Sequence, residues 1–436
     1  MVKSFFKKIK NKVIFGFNFL LLDFSLAVKS PRLSAIALFI ASKNVNVEGD
    51  YTVLCQGRSI FMEDIGAMAR FGRRIKYVSI HRVYWKKVFF HFLSEADKKD
   101  ISEHNYHFRT FPDHGEEKYR NYLRKLLPIL RKLIKFQAVL SGNIGYLEQQ
   151  EIINICREIQ TPYIVLDKEG ITMSNDLEID MELLSKKRFF GSKVLFYNES
   201  VRQSVLNLKP IGLTQANTAV VGIPRLDFYF HDKKRQSKNQ IVFFAFRTEY
   251  RFGLLVNDRH LLEKLFQRSE DFYKMVMEFA LRHKDIKVII KTKVAESYSN
   301  YIYDILKRNF RERIPNLEIT NSGNVGDLIL DSKAVIGYNS TTLLEALIAD
   351  KLTISPYFGD LIPNQNWDYF SEFPEMNHKA RNLADLEEYI LNYSKYCHYD
   401  PKRKEEYLSR FMPLPFGQAS VKAEEEIIKS IKEKSE

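Results

Sequence analysis

From residue 51 onward, short apolar runs alternate with longer stretches whose apolar positions recur every three to four residues. Each short run closes on Gly, Asn or a charged residue. Chains built from β-α-β units that feed a parallel sheet have this pattern, because strands buried on both faces need nearly continuous Val, Ile and Leu. The first series predicts strands over residues 51–55, 75–80, 138–141, 163–166, 194–197 and 219–221, and a helix over 147–159. A charged, aromatic segment over 85–135, helical from 117, has no clear place on that sheet. A polar stretch over 231–239 (HDKKRQSKN) then interrupts the alternation and predicts a domain boundary. The second series predicts strands over 241–246, 287–291, 317–320, 334–338 and 352–355, with a helix over 261–282.

The first 45 residues follow a different rule. Five lysines between Lys3 and Lys12 interleave with Phe5, Phe6 and Ile9, and apolar runs over 13–28 and 33–41 follow. The first run contains Asp23 and is shorter than the roughly 20 residues a spanning helix needs. A basic amphipathic anchor on an anionic membrane surface is expected, peripheral on the cytoplasmic face, with packing of these helices on the first domain as the alternative. No clean small-residue cleavage site follows, which disfavours a secretory leader. The expected organisation is a basic segment 1–45, a first domain 46–230, a second domain 240–400 and a charged helix 401–436. That last helix either crosses back onto the first domain or stays solvated.

Length and composition agree with two folded domains: 436 residues are too many for one ordinary core, and 45% hydrophobic content excludes a disordered chain. The net charge of +13 suits anionic partners without choosing among phosphates, lipid and nucleic acid. No nucleic-acid-binding module is evident, and none is expected as a partner. Cys55, Cys156 and Cys397 are far apart, so neither a disulfide framework nor a zinc site is indicated.

In open parallel sheets ligands bind beyond the carboxyl ends of the strands, so the residues just after each apolar run carry the chemistry. In the second series these are Arg247, then Lys291 and Lys293, then Asn339, Ser340, Thr341 and Thr342. The run AVIGYNSTTLLEALIADK takes a strand into a hydroxyl-rich turn and a helix, whose first amides lack internal partners and suit a phosphate. Thr342 and Glu345 also have the spacing of a capping box, a purely structural alternative. Glu345 would repel a phosphate and better accepts ribose hydroxyls. Arg247, Lys291 and Lys293 could neutralise a leaving phosphate. In the first series PYIVL leads into Asp167 and Glu169, either of which could serve as general base or nucleophile unless both merely pair with neighbouring cations. Arg58, Asp64, His81 and Asn143 follow other strands of that series and are expected to line an acceptor cleft. P-loop, G-x-G-x-x-G, H-E-x-x-H and G-x-S-x-G signatures are all absent, which removes the usual kinase, dehydrogenase, zincin and hydrolase readings. No D-x-D triplet ends a strand, so a metal-held diphosphate is not suggested.

Taken together, SGNIGYLEQQ, VLDKEG, VVGIPRLD and VIGYNSTTLLEALIADKLTISPYF resemble segments of bacterial surface-carbohydrate and capsular-polysaccharide glycosyltransferases of the GT-B type. The resemblance spans residues 136–357. It implies two Rossmann-like, doubly wound α/β domains facing across a cleft, a nucleotide-sugar donor held mainly by the second and an acceptor met by the first. It also implies catalysis without an obligatory metal or other cofactor. Ser340 and Thr341 match the Ser/Thr pair of related sialyl- and Kdo-transferring enzymes, whereas Lys291-Thr292 stands where those enzymes carry His-Pro. Glu169 matches an acidic position of similar proteins. The implied reaction is transfer to a lipid-linked or growing glycan acceptor in capsule or lipopolysaccharide assembly. A CDP-glycerol-type polyol phosphate transferase and a non-catalytic subunit of an assembly complex are the rival readings.

Overall fold

The computed structural model describes residues 2–103, 105–168, 188–231, 236–247, 256, 258–293, 296–362 and 368–434, with side chains from residue 15 onward except at 59, 60 and 296. Two compact units emerge: Met1–Asp227 with Arg410–Glu436, and Phe228–Ser409.

In chain order the first unit contains α1 (Val2–Ala27), α2 (Pro31–Ala41), β1 (Lys43–Asn44), β2 (Tyr51–Gly57), α3 (Ser59–Phe71), β3 (Ile75–His81), α4 (Arg82–His91) and α5 (Glu95–Asp100). Next come α6 (Gly115–Ile134), β4 (Ala138–Ser141), α7 (Leu147–Glu158), β5 (Tyr163–Asp167), β6 (Lys193–Phe196), α8 (Glu199–Asn207), β7 (Thr218–Val220) and α9 (Asp227–His231), whose first residue ends the unit. The strand order is β1-β3-β2-β4-β5-β6-β7, parallel throughout except for β1 on β3. Because β3 lies to one side of β2 and β4 to the other, the order reverses between β2 and β4. Crossover loops there leave in opposite directions and open a crevice.

The segment over 85–135 is not an insertion apart from the sheet. α4 and α6 cover one face with Trp85, Val88, Phe89, Leu123, Leu126 and Leu127 fully enclosed in the core, which is why a charged, aromatic sequence still folds here. The N-terminal helices join the same core through Leu22, Leu26, Ala35 and Leu38. A chain of hydroxyls locks them in place: Ser25 to Ser34 at 2.6 Å and Ser34 to Tyr122 of α6 at 2.7 Å. Residues 1–45 therefore belong to the first unit rather than forming a detached segment. No described helix is long and apolar enough to cross a membrane.

The charged C-terminal stretch divides between the units. α16 (Pro401–Ser409) stays with the second, whereas α17 (Ala419–Lys432) returns to the first. Asp227 accepts from the amides of Ala419 at 3.1 Å and Ser420 at 2.7 Å, and Glu424 accepts from those of Arg74 at 2.9 Å and Ile75 at 3.0 Å. Lys193 pairs with Glu426 at 2.5 Å. A buried amide left without its acceptor costs about 1–3 kcal/mol. Asp227→Ala, which orphans two, is therefore expected to lower the unfolding midpoint clearly, and an unchanged urea midpoint would show that α17 docks without this clasp.

The second unit begins earlier than the polar stretch at 231–239 suggests, since Tyr229 is buried within it and its hydroxyl donates to Glu345 at 2.6 Å. Its elements are β8 (Gln240–Phe244), α10 (Arg259–Arg282), β9 (Lys287–Lys291), α11 (Glu296–Asn309), β10 (Leu317–Thr320), α12 (Val325–Asp331), β11 (Ala334–Ile336), α13 (Thr341–Ile348), β12 (Leu352–Pro356), β13 (His378–Ala380), α14 (Leu383–Leu391), α15 (Tyr393–Tyr396) and α16. All strands are parallel, in the order β10-β9-β8-β11-β12-β13, which reverses between β8 and β11. Both expected doubly wound sheets are present. Their central strands are fully buried on Ile241, Val242, Phe243, Val288, Ile290, Val335 and Ile336.

Candidate functional site

The reversal between β8 and β11 puts two loops of the second unit side by side, one ending at Arg247 and the other running through Tyr338, Asn339 and Ser340. The first loop is held by one buried phenol: Tyr273 donates to the carbonyl of Phe246 at 2.7 Å, and its oxygen accepts the Phe246 amide at 2.9 Å. The residue just before Arg247 is thereby fixed. In the second loop Asn339 takes a left-handed φ of +42°, which Asn tolerates better than most residues, and its side-chain oxygen accepts from the Tyr369 amide at 3.3 Å.

Ser340 is the N-cap of α13. Its backbone is extended (φ −119°, ψ 137°), and its hydroxyl oxygen accepts from the Thr342 amide at 3.4 Å and lies 2.8 Å from the Thr342 hydroxyl. The Thr342–Glu345 capping box does not form, because Thr342 is already inside the helix and the Glu345 carboxylate is buried against Tyr229. Thr341, in the first turn, is half-buried beside these groups.

A third loop enters from β9, the neighbour of β8. Lys293 is exposed beyond it with its ammonium 5.7 Å from the centre of the Tyr298 ring, and the Arg247 guanidinium stands 5.6 Å from that centre and 5.8 Å from that of Tyr301. Tyr298 thus holds two cations in a common neighbourhood through the negative face of its ring. Arg247, Lys293, Tyr298, Tyr338 and Ser340 share the wall of a hollow of about 50 Å³. Lys291 does not join them. It is half-buried, its ammonium donates to the carbonyls of Thr292 at 2.9 Å and Asn321 at 3.1 Å, and burial lowers its pKa. Thr292 is buried with its hydroxyl 2.9 Å from that of Ser299.

In the first unit the carboxyl ends of β3, β2, β4 and β5 are consecutive neighbours, so His81, Arg58, Asn143 and Asp167 lie along one edge of the sheet. At the reversal, the glycine before Asn143 lets the loop pass close to α3, since a Cβ on Gly142 would come within 2.8 Å of the Phe61 ring. The Lys168 amide donates to the Gly142 carbonyl at 3.3 Å and draws the end of β5 to that of β4. Asp167 is buried there, and Glu169 lies outside the described residues. Asn143 turns its own loop by accepting the Gly145 amide at 2.6 Å. His81 caps α4, its Nδ1 accepting the Val83 amide at 3.2 Å, which requires that nitrogen unprotonated. Burial, and then the Lys43 charge, lowers its pKa in the same direction.

Arg58 is exposed and donates to the Tyr146 hydroxyl at 3.2 Å. On the same ring, 3.3 Å from its centre, lies the guanidinium of the buried Arg82, which forms a two-pronged ion pair with the buried Glu148. Asp64 lies at the same end of the sheet but offers no surface to a ligand. It is fully enclosed in α3, accepting from the Tyr197 hydroxyl at 2.7 Å and from Arg225 at 3.1 Å, a clasp that ties α3 to the ends of β6 and β7. Sequence reasoning placed it at the edge because it follows β2 closely; helical periodicity turns it inward.

Tyr298, Tyr146, Arg82 and Arg225 escaped the sequence analysis, and each is an aromatic or cationic residue within two turns of a strand's carboxyl end. No protein-family profile and no curated protein sequence matches the chain. Solved structures align with it over nearly its whole length: a UDP-GlcNAc 2-epimerase from Neisseria meningitidis bound to UDP-GlcNAc (11% identity, 88% of this chain and 99% of that one, TM-score 0.46) and a variant of the wall teichoic acid polymerase TagF (12%, 96% and 98%, TM-score 0.48). A UDP-forming α,α-trehalose-phosphate synthase from Burkholderia xenovorans aligns similarly (10%, 89% and 100%, TM-score 0.45). At such identities the likeness concerns the fold alone.

Proposed function

We propose that this protein is a glycosyltransferase that moves a sugar from a nucleotide-activated donor to a membrane-associated glycan acceptor, in the assembly of a bacterial surface polysaccharide such as capsule or lipopolysaccharide. The observation that carries this reading is the pairing of Arg247 and Lys293 around Tyr298 beside the Ser340-capped start of α13, at the reversal of the second sheet. Two cations and the hydroxyls of a helix start, with the positive end of the helix dipole behind them, offer donors to a charged phosphate chain that leaves with the nucleotide, and such bonds strengthen as the leaving charge develops. The acceptor is met in the first unit, where Arg58, His81, Asn143 and Asp167 share one edge, and a carboxylate at Asp167 or Glu169 takes the acceptor proton or attacks the sugar. Glu345, in the first turns of the same helix, is assigned the ribose hydroxyls of the donor.

The direct test is a panel of CMP, CDP, UDP and GDP, each measured for thermal stabilisation of the full chain. Stabilisation by one of them is expected; none by any would remove the donor site. Product analysis with a candidate acceptor separates the polyol phosphate transferase, which leaves a phosphodiester, from a sugar transferase.

The two hydroxyls of the helix start separate in their effects. Thr341→Ala is expected to weaken nucleotide binding by at least about tenfold, the loss of a charge-assisted hydrogen bond worth roughly 1.5–3 kcal/mol. Ser340→Ala should additionally cost about 1 kcal/mol of stability as a lost cap. Calorimetric titration with the stabilising nucleotide checks the first and chemical denaturation the second. Undiminished affinity in both variants would leave Ser340 and Thr341 as framework.

A further inference from the structure

α1 and α2 form a hairpin that is apolar on two faces. One face, carrying Asn18, Leu22, Ser25 and Leu26 of α1 and Ser34, Ala35, Ala37, Leu38 and Ala41 of α2, is enclosed by the first unit. The other carries Phe17 (60% exposed), Leu20 (68%) and Phe24 (58%) of α1, spaced three to four residues apart and therefore on one side of the helix, with Val28 of the turn and Ile36, Phe39 and Ile40 of α2. Scattered exposed apolar residues are ordinary, but a contiguous run of this kind on a folded surface marks an interaction site. A soluble helix whose inner face is already buried has no folding reason to carry this second stripe.

The surrounding charge identifies the occupant. The first 47 residues hold eight Lys and Arg against one acid, Asp23. Asp23 is matched by Lys87 of α4, whose ammonium lies 2.6 Å from its carboxylate. Lys29 and Arg32, both exposed, flank the turn of the hairpin, and Lys43 is exposed just past the end of α2. An apolar face ringed by uncompensated cations fits the interface of an anionic bilayer, where side chains enter the acyl boundary and cations meet phosphate.

We infer that the outer face of the α1–α2 hairpin docks the first unit onto an anionic membrane surface. The dock is rigid, because Ser25, Ser34 and Tyr122 fix the hairpin to α6, and Phe15 and Phe19 stack on Tyr84 of α4 at 5.5 and 4.7 Å. α4 begins at His81, on the acceptor edge of the sheet. The hairpin thus packs on the helix that His81 caps, which places the docked face beside the proposed acceptor edge. This deepens the proposed function by naming where its acceptor resides. Because it is read without nucleotide or acceptor, its failure is distinguishable from failure of that reading.

Vesicle sedimentation of the full chain, with one-third phosphatidylglycerol or with phosphatidylcholine alone, tests the inference. Binding to the anionic vesicles is expected, weaker by at least about tenfold on the neutral ones and in 1 M salt. Leu20→Ser with Phe24→Ser, both outward, should lower anionic binding by at least about tenfold while the thermal midpoint stays in place. Lys29→Glu with Arg32→Glu should lower it on anionic vesicles only. Absence of binding, equal binding by the folded variants, or loss of self-association in the Leu20/Phe24 variant with vesicle binding intact would overturn the inference, the last assigning the face to a second copy of the chain.

Discussion

Turnover is expected to fall by about 10²- to 10⁴-fold when the catalytic carboxylate becomes an amide, the range that a positioned acid or base contributes. The two substitutions to compare are Glu169→Gln and Asp167→Asn. Asp167 ends β5 at the same edge as Arg58 and Asn143, tied to β4 by the Lys168 amide, and Glu169 follows two residues on. An amide matches a carboxylate in shape but neither accepts a proton at neutral pH nor attacks an anomeric carbon. Nucleotide affinity should survive both changes, because the proposed donor contacts belong to the second unit. The measurement is steady-state turnover beside nucleotide affinity for each variant. Near-normal turnover in both would move the acid or base elsewhere, with His81 the next candidate on that edge. Asp64 drops out as a candidate, since it has no exposure and is engaged by Tyr197 and Arg225.

The alternation of apolar runs and helical stretches located eleven of the thirteen strands among the described residues, because a strand buried on both faces must be almost wholly apolar. The two that escaped, Lys43–Asn44 and His378–Ala380, are sheet edges of two and three residues with little to bury. Strand order was not legible. It arises from the direction of each crossover, and it alone reveals that Arg247 and Ser340 flank the second reversal. The periodicity of the N-terminal helices was readable, but which stripe is inward depends on Tyr84 and Tyr122, remote in sequence. For the same reason, deleting residues 1–41 would strip the first core of Leu22, Leu26, Ala35 and Leu38, so loss of membrane binding in that truncation would not by itself identify an anchor. Spacing misled at Thr342 and Glu345, because the chain enters the helix two residues earlier than the capping-box pattern requires, with Ser340 as the cap.

Removing both cations of the second site should have the largest effect on donor binding. Arg247 and Lys293 arrive from different strands, and each lies within 6 Å of the centre of the Tyr298 ring. A nucleoside diphosphate presents at least two negative charges there, and a hydrogen bond to a charged group is worth roughly 1.5–3 kcal/mol, or about ten- to a hundredfold in affinity. Arg247→Ala and Lys293→Ala should each fall in that range. The double variant should fall short of the product of the two, because both cations share one ring and one ligand. Arg247→Lys keeps the charge but loses the planar fork and its stacking, and should recover only part of the loss. Tyr298→Phe keeps the ring and should bind nearly normally, whereas Tyr298→Ala removes the ring that the two cations share and should lie closer to the double variant. Isothermal titration with the stabilising nucleotide gives all the values, and its salt dependence should flatten as each cation is removed. Full additivity of the two alanine variants, with Tyr298→Ala inert, would mean that the cations act separately and that the tyrosine does not organise the site.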